Sequence, residues 1–340
     1  MSKYHIQLSS SDGQQLSFSC EAGENIIAAA EKENIFLVSQ CQSGACGACI
    51  ADCGEGEFKL ADYGEDILSN EDIANRKTLL CQTYPSSDLN INLPYEYGQI
   101  RFERAKTRYA NVIEKTYLTP DTIRLGLQLL ADDEGNISFD FEPGQFIEII
   151  VKDAGSEIKR AYSLSNAPNW DGQLECLIKL RPQGKFSSYL DQTVAIGTQL
   201  QIEEASGKFI LQDKGLRPRY FIAGGTGLAP IMSMLRQMQE WQEPHPVELF
   251  FGVWHEKDIF FQQELNDLAN DMPNLKFQIC VTDSVVDVFA AQLKQAKVQP
   301  DIYICGSPSL IDAVAEVTKP LGIEKEKLIY EYFLPSTLEK

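Results

Sequence analysis

Apolar and polar residues alternate in two short runs near the start of the chain. Tyr4, Ile6 and Leu8 are separated by polar residues, and the same alternation returns over 16–20 after a Ser-Asp-Gly sequence at 11–13. A period of two places the apolar side chains on one face of a strand, and Ser-Asp-Gly is typical of a turn. We therefore predict a β-hairpin.

A helix and a further strand complete the N-terminal pattern. Residues 25–33 are good helix formers, and Glu24 beside them predicts an acidic first turn, which the helix dipole favours. A loop rich in Gly, Ser and Cys follows, and the alternating Leu89, Ile91 and Leu93 predict a last strand. Hairpin, helix, loop and strand together indicate a small α+β domain.

The pattern changes twice after this domain. Over 109–212 it predicts strands without long helices, at 122–129, 145–151 and 174–180, which is typical of an antiparallel barrel. From residue 219 onward strands and helices alternate, and this predicts a parallel sheet covered by helices. The predicted strands there are 220–223, 247–253, 276–281 and 301–305, and the predicted helices are 231–241, 264–269 and 310–317.

Composition and charge narrow the class of protein. The 340-residue chain has a formal net charge of -19, which argues against nucleic acid as a partner because a polyanion would be repelled. No basic region precedes an apolar run at the N-terminus, and nowhere do about 18 consecutive apolar residues occur. We therefore expect a cytoplasmic protein that does not span a membrane.

The charge is distributed unevenly along the chain. Residues 1–97 carry five basic and fifteen acidic side chains, a formal charge of -10, whereas 99–108 carry four basic residues and one acidic residue. This reversal of sign indicates a linker. The domain organisation that we predict is a first domain at 1–97, a linker at 98–108, a second domain at 109–213 and a third at 214–340.

Five of the nine cysteines lie between positions 41 and 81. Four residues separate Cys41 from Cys46, two separate Cys46 from Cys49, and Cys81 follows at a distance along the chain. A plant-type [2Fe-2S] cluster is bound by three thiolates with this spacing in one loop and by a fourth from further along the chain. Glycines inside the loop let backbone N–H groups turn towards the sulfurs. We predict that these four cysteines are the metal ligands.

Other sites compete with this interpretation. A structural zinc site usually pairs two short Cys-x2-Cys clips, whereas one such clip is present, and a set of free thiols is a further alternative. A Rieske centre needs two histidines near the cluster, but His5, His245 and His255 lie far from it in sequence. We interpret four of the remaining cysteines as core residues, namely Cys20, Cys53, Cys176 and Cys280. Cys305 fits either a core residue or a residue at a binding site.

Two motifs in the barrel region are candidates for contact with a flavin. Arg160, Tyr162 and Ser163 follow one predicted strand, and 184–188 opens a short helix after another. A tyrosine can stack on a flavin ring, an arginine can pair with its pyrophosphate, and helix N-terminal amides can hold a phosphate. Each motif alone also fits an ordinary surface segment, but their order within a barrel favours the flavin.

Three segments of the C-terminal region are candidates for contact with a dinucleotide. The Gly-rich segment 224–230 lies between a strand and a helix, where glycines permit close approach to a pyrophosphate, although it also fits a tight turn and lacks the Gly-x-Gly-x-x-Gly fingerprint. Pro230 suits a first helical turn. Cys305 and Gly306 end a strand at the same sheet edge, with a buried structural cysteine as the alternative. Residues 330–333 also fit a core strand.

Taken together, these motifs resemble the reductase components of soluble bacterial oxygenases. The resemblance spans nearly the whole chain and implies a β-grasp [2Fe-2S] ferredoxin domain, an antiparallel FAD-binding β-barrel and a Rossmann-like parallel α/β NAD-binding domain. Within that family the likeness is greatest to the reductases of soluble methane monooxygenase. The segments that carry this finer likeness are 36–39, 92–95, 141–146, 233–241 and 333–336.

The resemblance also implies roles for individual residues. Cys305 and Glu331 would flank the hydride path. The residues that it places at FAD are Arg160, Tyr162, Ser163, Lys179, Gly184, Lys185, Phe186 and Ser187, and those at the nicotinamide dinucleotide are Gly224, Gly225, Thr226, Gly227, Cys305, Gly306 and Phe333. The chain departs from the family pattern at Ser307, where proline is usual, at Lys179, where arginine is usual, and at 204–205, where Gly-Pro is usual.

The implied activity is electron transfer from NADH through FAD and the cluster to a separate protein. Glu256 and Asp258 favour NADH because acidic groups repel a 2'-phosphate, although Lys257 lies between them. A di-iron oxygen-activating centre typically uses Glu-x-x-His pairs, and none of the three histidines has Glu three positions before it. We therefore expect a separate di-iron hydroxylase that docks on the acidic ferredoxin domain. The alternatives are the reductase of an aromatic-ring or alkene oxygenase, a deoxysugar-forming reductase, and a redox-sensing or zinc-binding interaction protein.

Overall fold

The computed structural model describes residues 2–39, 42, 44, 47–64, 67–103, 105–153, 156–281 and 284–333. Cys41 and Cys46, two of the predicted cluster ligands, lie outside these residues, as do 334–336 of one segment that carries the family likeness. The described chain forms two compact units, one up to Ala105 and the other from Lys106 to Phe333. The predicted domain boundaries stay predictions.

The first unit is built on a five-stranded sheet with the order β2-β1-β7-β3-β5, next to a two-stranded sheet of β4 and β6. The predicted hairpin is confirmed, with Ile6 paired to Phe18 and both side chains buried. The elements are β1 (Lys3–Ser9), β2 (Gln15–Glu21), α1 (Ile26–Lys32), β3 (Ile50–Glu55), β4 (Phe58–Leu60), α2 (Asn70–Ala74), β5 (Lys77–Leu79), β6 (Thr83–Pro85) and β7 (Leu89–Asn92).

Helix α1 covers this sheet with an apolar face that includes Ile26 and Ile27. The predicted acidic first turn is wrong, because Glu24 precedes the helix and the first turn holds no acidic residue. Asn25 is the N-cap instead, and its side-chain oxygen accepts a hydrogen bond from the N–H of Ala28 at 2.8 Å. The neutral side chain of Asn25 therefore stabilises the helix N-terminus, where we expected the Glu24 carboxylate to do so.

The second unit begins with a six-stranded antiparallel sheet in the order β11-β10-β13-β8-β9-β12. A bridge between Leu164 and Cys176 joins its two ends, so the sheet closes into the predicted barrel. The predicted strand 122–129 matches β9, whose Ile123, Leu125 and Leu127 are buried inside. The elements are β8 (Thr107–Thr119), β9 (Thr122–Leu129), β10 (Phe146–Asp153), β11 (Ser156–Ser163), β12 (Gln173–Lys179), α3 (Lys185–Gln192) and β13 (Gln199–Glu203).

The same unit continues into a five-stranded parallel sheet with the order β16-β15-β14-β17-β18. The strand order reverses beside β14, and ligands of such sheets bind at the carboxyl ends of the strands on either side of that point. The elements are β14 (Arg219–Gly224), α4 (Leu228–Glu240), β15 (Val247–Gly252), α5 (Gln262–Asp271), β16 (Leu275–Cys280), α6 (Val285–Leu293), β17 (Asp301–Gly306), α7 (Pro308–Thr318) and β18 (Ile329–Tyr332).

The predicted fold class is confirmed for the α+β first unit, the antiparallel barrel and the parallel sheet, while helix α6 is an addition that the sequence pattern did not predict. Its sequence contains three valines and a phenylalanine, residues that favour strands as much as helices. Among the described segments, no helix has the length and apolar character needed to cross a membrane.

Candidate functional site

Two of the four predicted cluster ligands face each other in the first unit. The Sγ atoms of Cys49 and Cys81 are 3.4 Å apart, and both side chains are buried. A disulfide would require about 2.05 Å. Two thiolates on a tetrahedral metal with bonds of about 2.3 Å lie roughly 3.8 Å apart. The pair therefore fits a shared metal centre, and the other two predicted ligands, Cys41 and Cys46, lie outside the described residues.

The backbone near this pair excludes side chains at two glycines. Gly44 has φ +76°, and a Cβ there would lie 2.8 Å from Cγ of Gln82. Gly47 also has a positive φ, +71°. The N–H of Leu80 donates to the carbonyl oxygen of Cys49 at 3.1 Å and so links the two segments that carry the ligands. These features fit a loop that wraps closely around a cluster.

The cysteines predicted to be core residues are buried, which confirms that prediction for Cys20, Cys53, Cys176 and Cys280. The Sγ of Cys20 donates to the carbonyl oxygen of Glu24 at 3.5 Å, and burial together with the Glu24 charge raises the pKa of Cys20 to about 12. Such a thiol stays protonated at neutral pH and fills space in the core.

Strand β11 and helix α3 bring two aromatic rings together at one end of the barrel. Tyr162 pairs with Ile147 across the sheet, and its ring centroid lies 5.3 Å from that of Phe186. Arg160 is two residues earlier and therefore points to the same face of β11. Its Nη1 donates to the carbonyl oxygen of Lys159 at 2.8 Å. An aromatic ring and a guanidinium side by side fit a ligand with a planar ring and an anionic group.

Helix α3 has a polarity that suits an anion at its N-terminus. Gly184 is the N-cap, and within the described chain no side chain caps this end. The hydroxyl of Ser187 instead accepts a hydrogen bond from the N–H of Arg181 at 2.9 Å. At the other end, Nζ of Lys115 donates at 2.8 to 2.9 Å to the carbonyl oxygens of Leu190, Asp191 and Val194. A cation at the C-terminus and amides at the N-terminus fit a bound phosphate.

The two lysines predicted at the flavin have different surroundings. Nζ of Lys179 lies 2.6 Å from Oδ1 of Asp121, in an ion pair that is partly exposed. Lys185 is the first residue of α3. Lys185 is therefore better placed than Lys179 to meet a phosphate at the helix N-terminus.

The glycine segment after β14 meets the end of β17 backbone to backbone. A Cβ at Gly227 would lie 2.2 Å from the carbonyl oxygen of Cys305, and a Cβ at Gly306 would lie 2.8 Å from Cδ2 of Leu310. Gly225 has φ +52°, which is in the left-handed region. Side chains are thus excluded where the two strands end. This leaves a cradle in which the backbone can approach a ligand directly, and the predicted dinucleotide contact there stays a prediction.

The departure from the family pattern at Ser307 has a structural role. Ser307 is the N-cap of α7, and its Oγ accepts a hydrogen bond from the N–H of Leu310 at 3.3 Å. Pro308 occupies the first helical position, where its missing N–H has no cost. Where the family usually has proline, this chain therefore has a serine that caps the helix.

The end of barrel strand β11 meets the carboxyl ends of β17 and β18. Cys305 and Glu331 are paired neighbours on the two strands, and Oγ of Ser163 donates to Oε2 of Glu331 at 3.3 Å. The N–H of Phe333 donates to the carbonyl oxygen of Gly306 at 2.7 Å. We call these five residues the junction. It brings together side chains that were predicted at both FAD and the dinucleotide.

Burial shifts the proton affinity of both titratable groups in the junction. It raises the pKa of Glu331 to about 8, although the hydrogen bond from Ser163 acts in the opposite direction. Burial and the charge of Glu331 also raise the pKa of Cys305. A carboxyl that titrates near neutral pH can accept or release a proton, whereas the thiol stays protonated.

A cluster of charged residues, which the sequence reasoning missed, holds α4 against the barrel. Nη1 of Arg236 donates to the carbonyl oxygen of Ser165 at 2.8 Å and to Glu175 at 2.7 Å, while its Nη2 donates to Glu264 at 2.6 Å. Arg124 also pairs with Glu264. Although burial alone would raise it, the charge of Arg236 holds the pKa of Glu175 below its ordinary value. We call this set the Arg236 clamp.

The Arg236 clamp and the junction are neighbours along the chain, because Ser165 of the clamp lies two positions after Ser163 of the junction. Oγ of Ser233, one helical turn before Arg236, donates to the carbonyl oxygen of Asn166 at 2.6 Å. The loop that follows Ser163 is thus fixed to α4 at two successive carbonyls. The only sequence signal was that 233–241 contributes to the family likeness, because the partners of Arg236 come from three separate elements.

Three domain families match successive parts of the chain. They are a 2Fe-2S iron-sulfur cluster binding domain at 10–86, an oxidoreductase FAD-binding domain at 109–210 and an oxidoreductase NAD-binding domain at 221–316. The fold and the sites therefore define an oxidoreductase with an iron–sulfur cluster, FAD and NAD. This confirms the predicted cofactors and the prediction of an enzyme, and it excludes the non-enzymatic alternative.

Similarity to individual proteins narrows the family to which the chain belongs. It is 35% identical to methane monooxygenase component C of Methylosinus trichosporium over 302 residues, which cover 86% of this chain and 87% of that protein. It is 31% identical to the toluate 1,2-dioxygenase electron transfer component of Pseudomonas putida, with 96% and 97% covered. The solved ferredoxin reductase in carbazole 1,9a-dioxygenase is 25% identical, has a TM-score of 0.68 and covers 98% of this chain and 99% of its own. The chain belongs to the ferredoxin reductase family of oxygenase electron-transfer components.

Proposed function

We propose that this chain is the NADH-dependent reductase component of a soluble methane monooxygenase, or of a related hydrocarbon monooxygenase. In this role it delivers electrons one at a time to a separate di-iron hydroxylase. The observation that carries the proposal is the 35% identity with methane monooxygenase component C over 86% of the chain. The likeness to the toluate component is lower, at 31%.

We assign FAD to the barrel end of the second unit. Arg160 and Tyr162 lie on one face of β11, Ser163 ends that strand, and Lys185 begins α3. The backbone of 184–187 would hold the pyrophosphate at the N-terminus of α3, where no described side chain competes. Lys179 would act at longer range, because its ammonium group already pairs with a carboxylate.

We assign the nicotinamide dinucleotide to the carboxyl edge of the parallel sheet. The glycine cradle of 224–227 would receive its pyrophosphate, while Cys305, Gly306 and Phe333 would border the nicotinamide. Bound FAD would supply the chemistry that links transfer of an electron pair as hydride from NADH to the release of single electrons. The chain's own part is to hold a proton on Glu331, to orient that carboxyl through Ser163, and to exclude water with the Cys305 side chain.

We assign the [2Fe-2S] cluster to Cys41, Cys46, Cys49 and Cys81, supported by the 3.4 Å approach of the last two. The acidic first domain is the proposed docking face for the hydroxylase, supported by the charge of -10 in residues 1–97. Electrostatic docking weakens with salt. Turnover with the hydroxylase should therefore fall as ionic strength rises, and turnover independent of salt would contradict this docking mode.

We also propose a preference for NADH over NADPH. Glu256 and Asp258 lie in a 3-10 turn shortly after β15, near the carboxyl edge of the sheet. Their carboxylates would repel a 2'-phosphate. Comparable kcat/KM values for NADH and NADPH would contradict the preference.

A second candidate is the reductase of an aromatic-ring oxygenase, supported by the match to the toluate component over 96% of the chain. Reconstitution separates the two. The purified chain is combined with a methane hydroxylase, an alkene hydroxylase or an aromatic-ring dioxygenase, and product formation is measured with NADH. The proposal predicts product with methane and the methane hydroxylase. Product with the aromatic-ring enzyme alone would overturn it.

A further inference from the structure

A cavity of about 720 Å³ opens at the amino ends of β17 and β18. Ile302 near the start of β17 and Ile329 at the start of β18 line it, together with parts of the segment 208–217 that leads into β14. The dinucleotide cradle lies at the carboxyl ends of the same strands. Because all five strands are parallel, the two sites are at opposite edges of the sheet.

The lining of this cavity is basic, although the chain as a whole has a net charge of -19. Lys208, Lys214, Arg217 and Lys327 line it, and Asp301 is the one acidic residue among the described lining residues. Asp301 is buried, and its Oδ1 lies 3.3 Å from Nη1 of Arg217. The lining therefore keeps an excess of positive charge, which a concave surface concentrates.

The wall of the cavity between these charges is apolar. Ile302, Ile323 and Leu328 are buried and line the cavity. Tyr330, which is 36% exposed, lines it as well. Sites for small organic ligands typically have volumes of about 300–1,000 Å³ and combine an apolar wall with a few polar groups. The cavity fits a ligand with an apolar or planar body and several negative charges.

We propose that this cavity binds a small phosphorylated organic molecule of the nucleoside phosphate class. Lys214 and Lys327, both exposed at the surface, supply the charges that meet the phosphates. Lysine ammonium groups act as compact point charges and are common ligands of phosphate. The volume of about 720 Å³ favours a small ligand over a protein segment, which would need a longer groove.

The test uses the full-length chain loaded with FAD and saturated with NAD+, so that both dinucleotide sites are filled. ADP is titrated calorimetrically into the wild type, into the double variant Lys214→Glu/Lys327→Glu, and into the control Lys276→Glu/Lys294→Glu. The control changes the net charge equally at two exposed lysines that do not line the cavity. We expect one ADP per wild-type chain and an affinity at least roughly tenfold lower in the first variant alone. No binding, or equal loss in both variants, would overturn the proposal.

Two further measurements do not depend on the variants. In the wild type, ADP should protect Lys214 and Lys327 from acetylation, measured by mass spectrometry, and leave Lys276 unprotected. Citrate in place of ADP tests whether phosphate is required, and binding of citrate as tight as that of ADP would overturn the phosphorylated class. Protection of the two lysines by the hydroxylase but not by ADP would show that the cavity is a protein contact and would also overturn the proposal.

Discussion

The molecule buries cysteines in two contrasting environments. Cys49 and Cys81 place their sulfurs 3.4 Å apart, whereas Cys305 lies singly beside Glu331 at the end of a parallel strand. Two close thiols can share a metal, while burial of a single thiol raises its pKa and keeps it protonated. The contrast teaches that neighbouring groups, not the residue type, decide the chemistry. Loss of one cysteine of the Cys49–Cys81 pair should therefore abolish cluster binding. Changes in the junction should lower the rate of flavin reduction without abolishing it.

The largest effect is expected at the cluster. Cys49→Ser removes a proposed ligand, so the cluster content of the purified chain should fall to background, measured as iron and acid-labile sulfide per chain. Flavin reduction by NADH should persist, because the FAD and dinucleotide assignments use no residue of the first unit. The matched control is Cys53→Ser, another buried cysteine of the same unit that is not a predicted ligand. Full cluster content in Cys49→Ser would remove this cysteine from the ligand set.

The next effect is on stability and tests how strongly the Arg236 clamp stabilises the second unit. Arg236→Ala breaks partly buried ion pairs with Glu175 and Glu264 and should lower the free energy of unfolding of the second unit by about 2 kcal/mol. Urea titration followed by far-ultraviolet circular dichroism measures it.

The control is Lys276→Ala, which breaks the more exposed pair with Glu248 and should cost less than about 1 kcal/mol. Equal losses in the two variants would show that the Arg236 clamp is no stronger than a surface pair.

Glu331→Gln tests the proton-holding role in the junction. Loss of a positioned acid or base typically lowers a rate by about 10² or more, and we expect a reduction of that order in anaerobic flavin reduction by NADH, measured by stopped flow. Glu324→Gln, an exposed neighbour before β18, should leave the rate unchanged. An unchanged rate in Glu331→Gln would remove this residue from the hydride site.

The same carboxyl predicts the sign of a pH effect. Its pKa rises from 4.5 in the unfolded chain to about 8 in the folded chain, so the folded state binds the proton more tightly. The resulting stability is fully present below pH 4.5 and is lost as pH rises through about 8. The difference in unfolding free energy between wild type and Glu331→Gln should therefore fall across this window, and a difference independent of pH would contradict the shift.

The smallest effect is expected at the far end of the flavin helix. Lys115→Met removes the ammonium group that bonds three carbonyls at the C-terminus of α3 and should cost about 1 kcal/mol. We expect FAD to bind roughly fivefold more weakly by equilibrium dialysis, because 1.4 kcal/mol corresponds to about tenfold. Lys152→Met, an exposed lysine on β10, is the control. Unchanged FAD binding in Lys115→Met, or equal weakening in both variants, would show that FAD binding at α3 does not need this cation.

The parts of the fold that follow from local periodicity could be predicted from the sequence. Strand β9 was predicted with its bounds because its alternation reflects one buried face. The assignment of the cluster ligands rests on their spacing in the sequence and stays a prediction. The contact between Ser163 and Glu331 joins residues 168 positions apart, so no local pattern could reveal it. Arg236 was missed for the same reason, and α6 because its valines fit a strand equally well.

The central claim, that electrons pass from NADH through FAD to the cluster, is tested most directly by an anaerobic titration with NADH. The account predicts that the visible absorption of both the flavin and the cluster is lost. About 1.5 molecules of NADH per chain should be consumed, because FAD stores two electrons and the cluster one. Loss of the flavin absorption with a cluster that stays oxidised in the wild-type chain would contradict it.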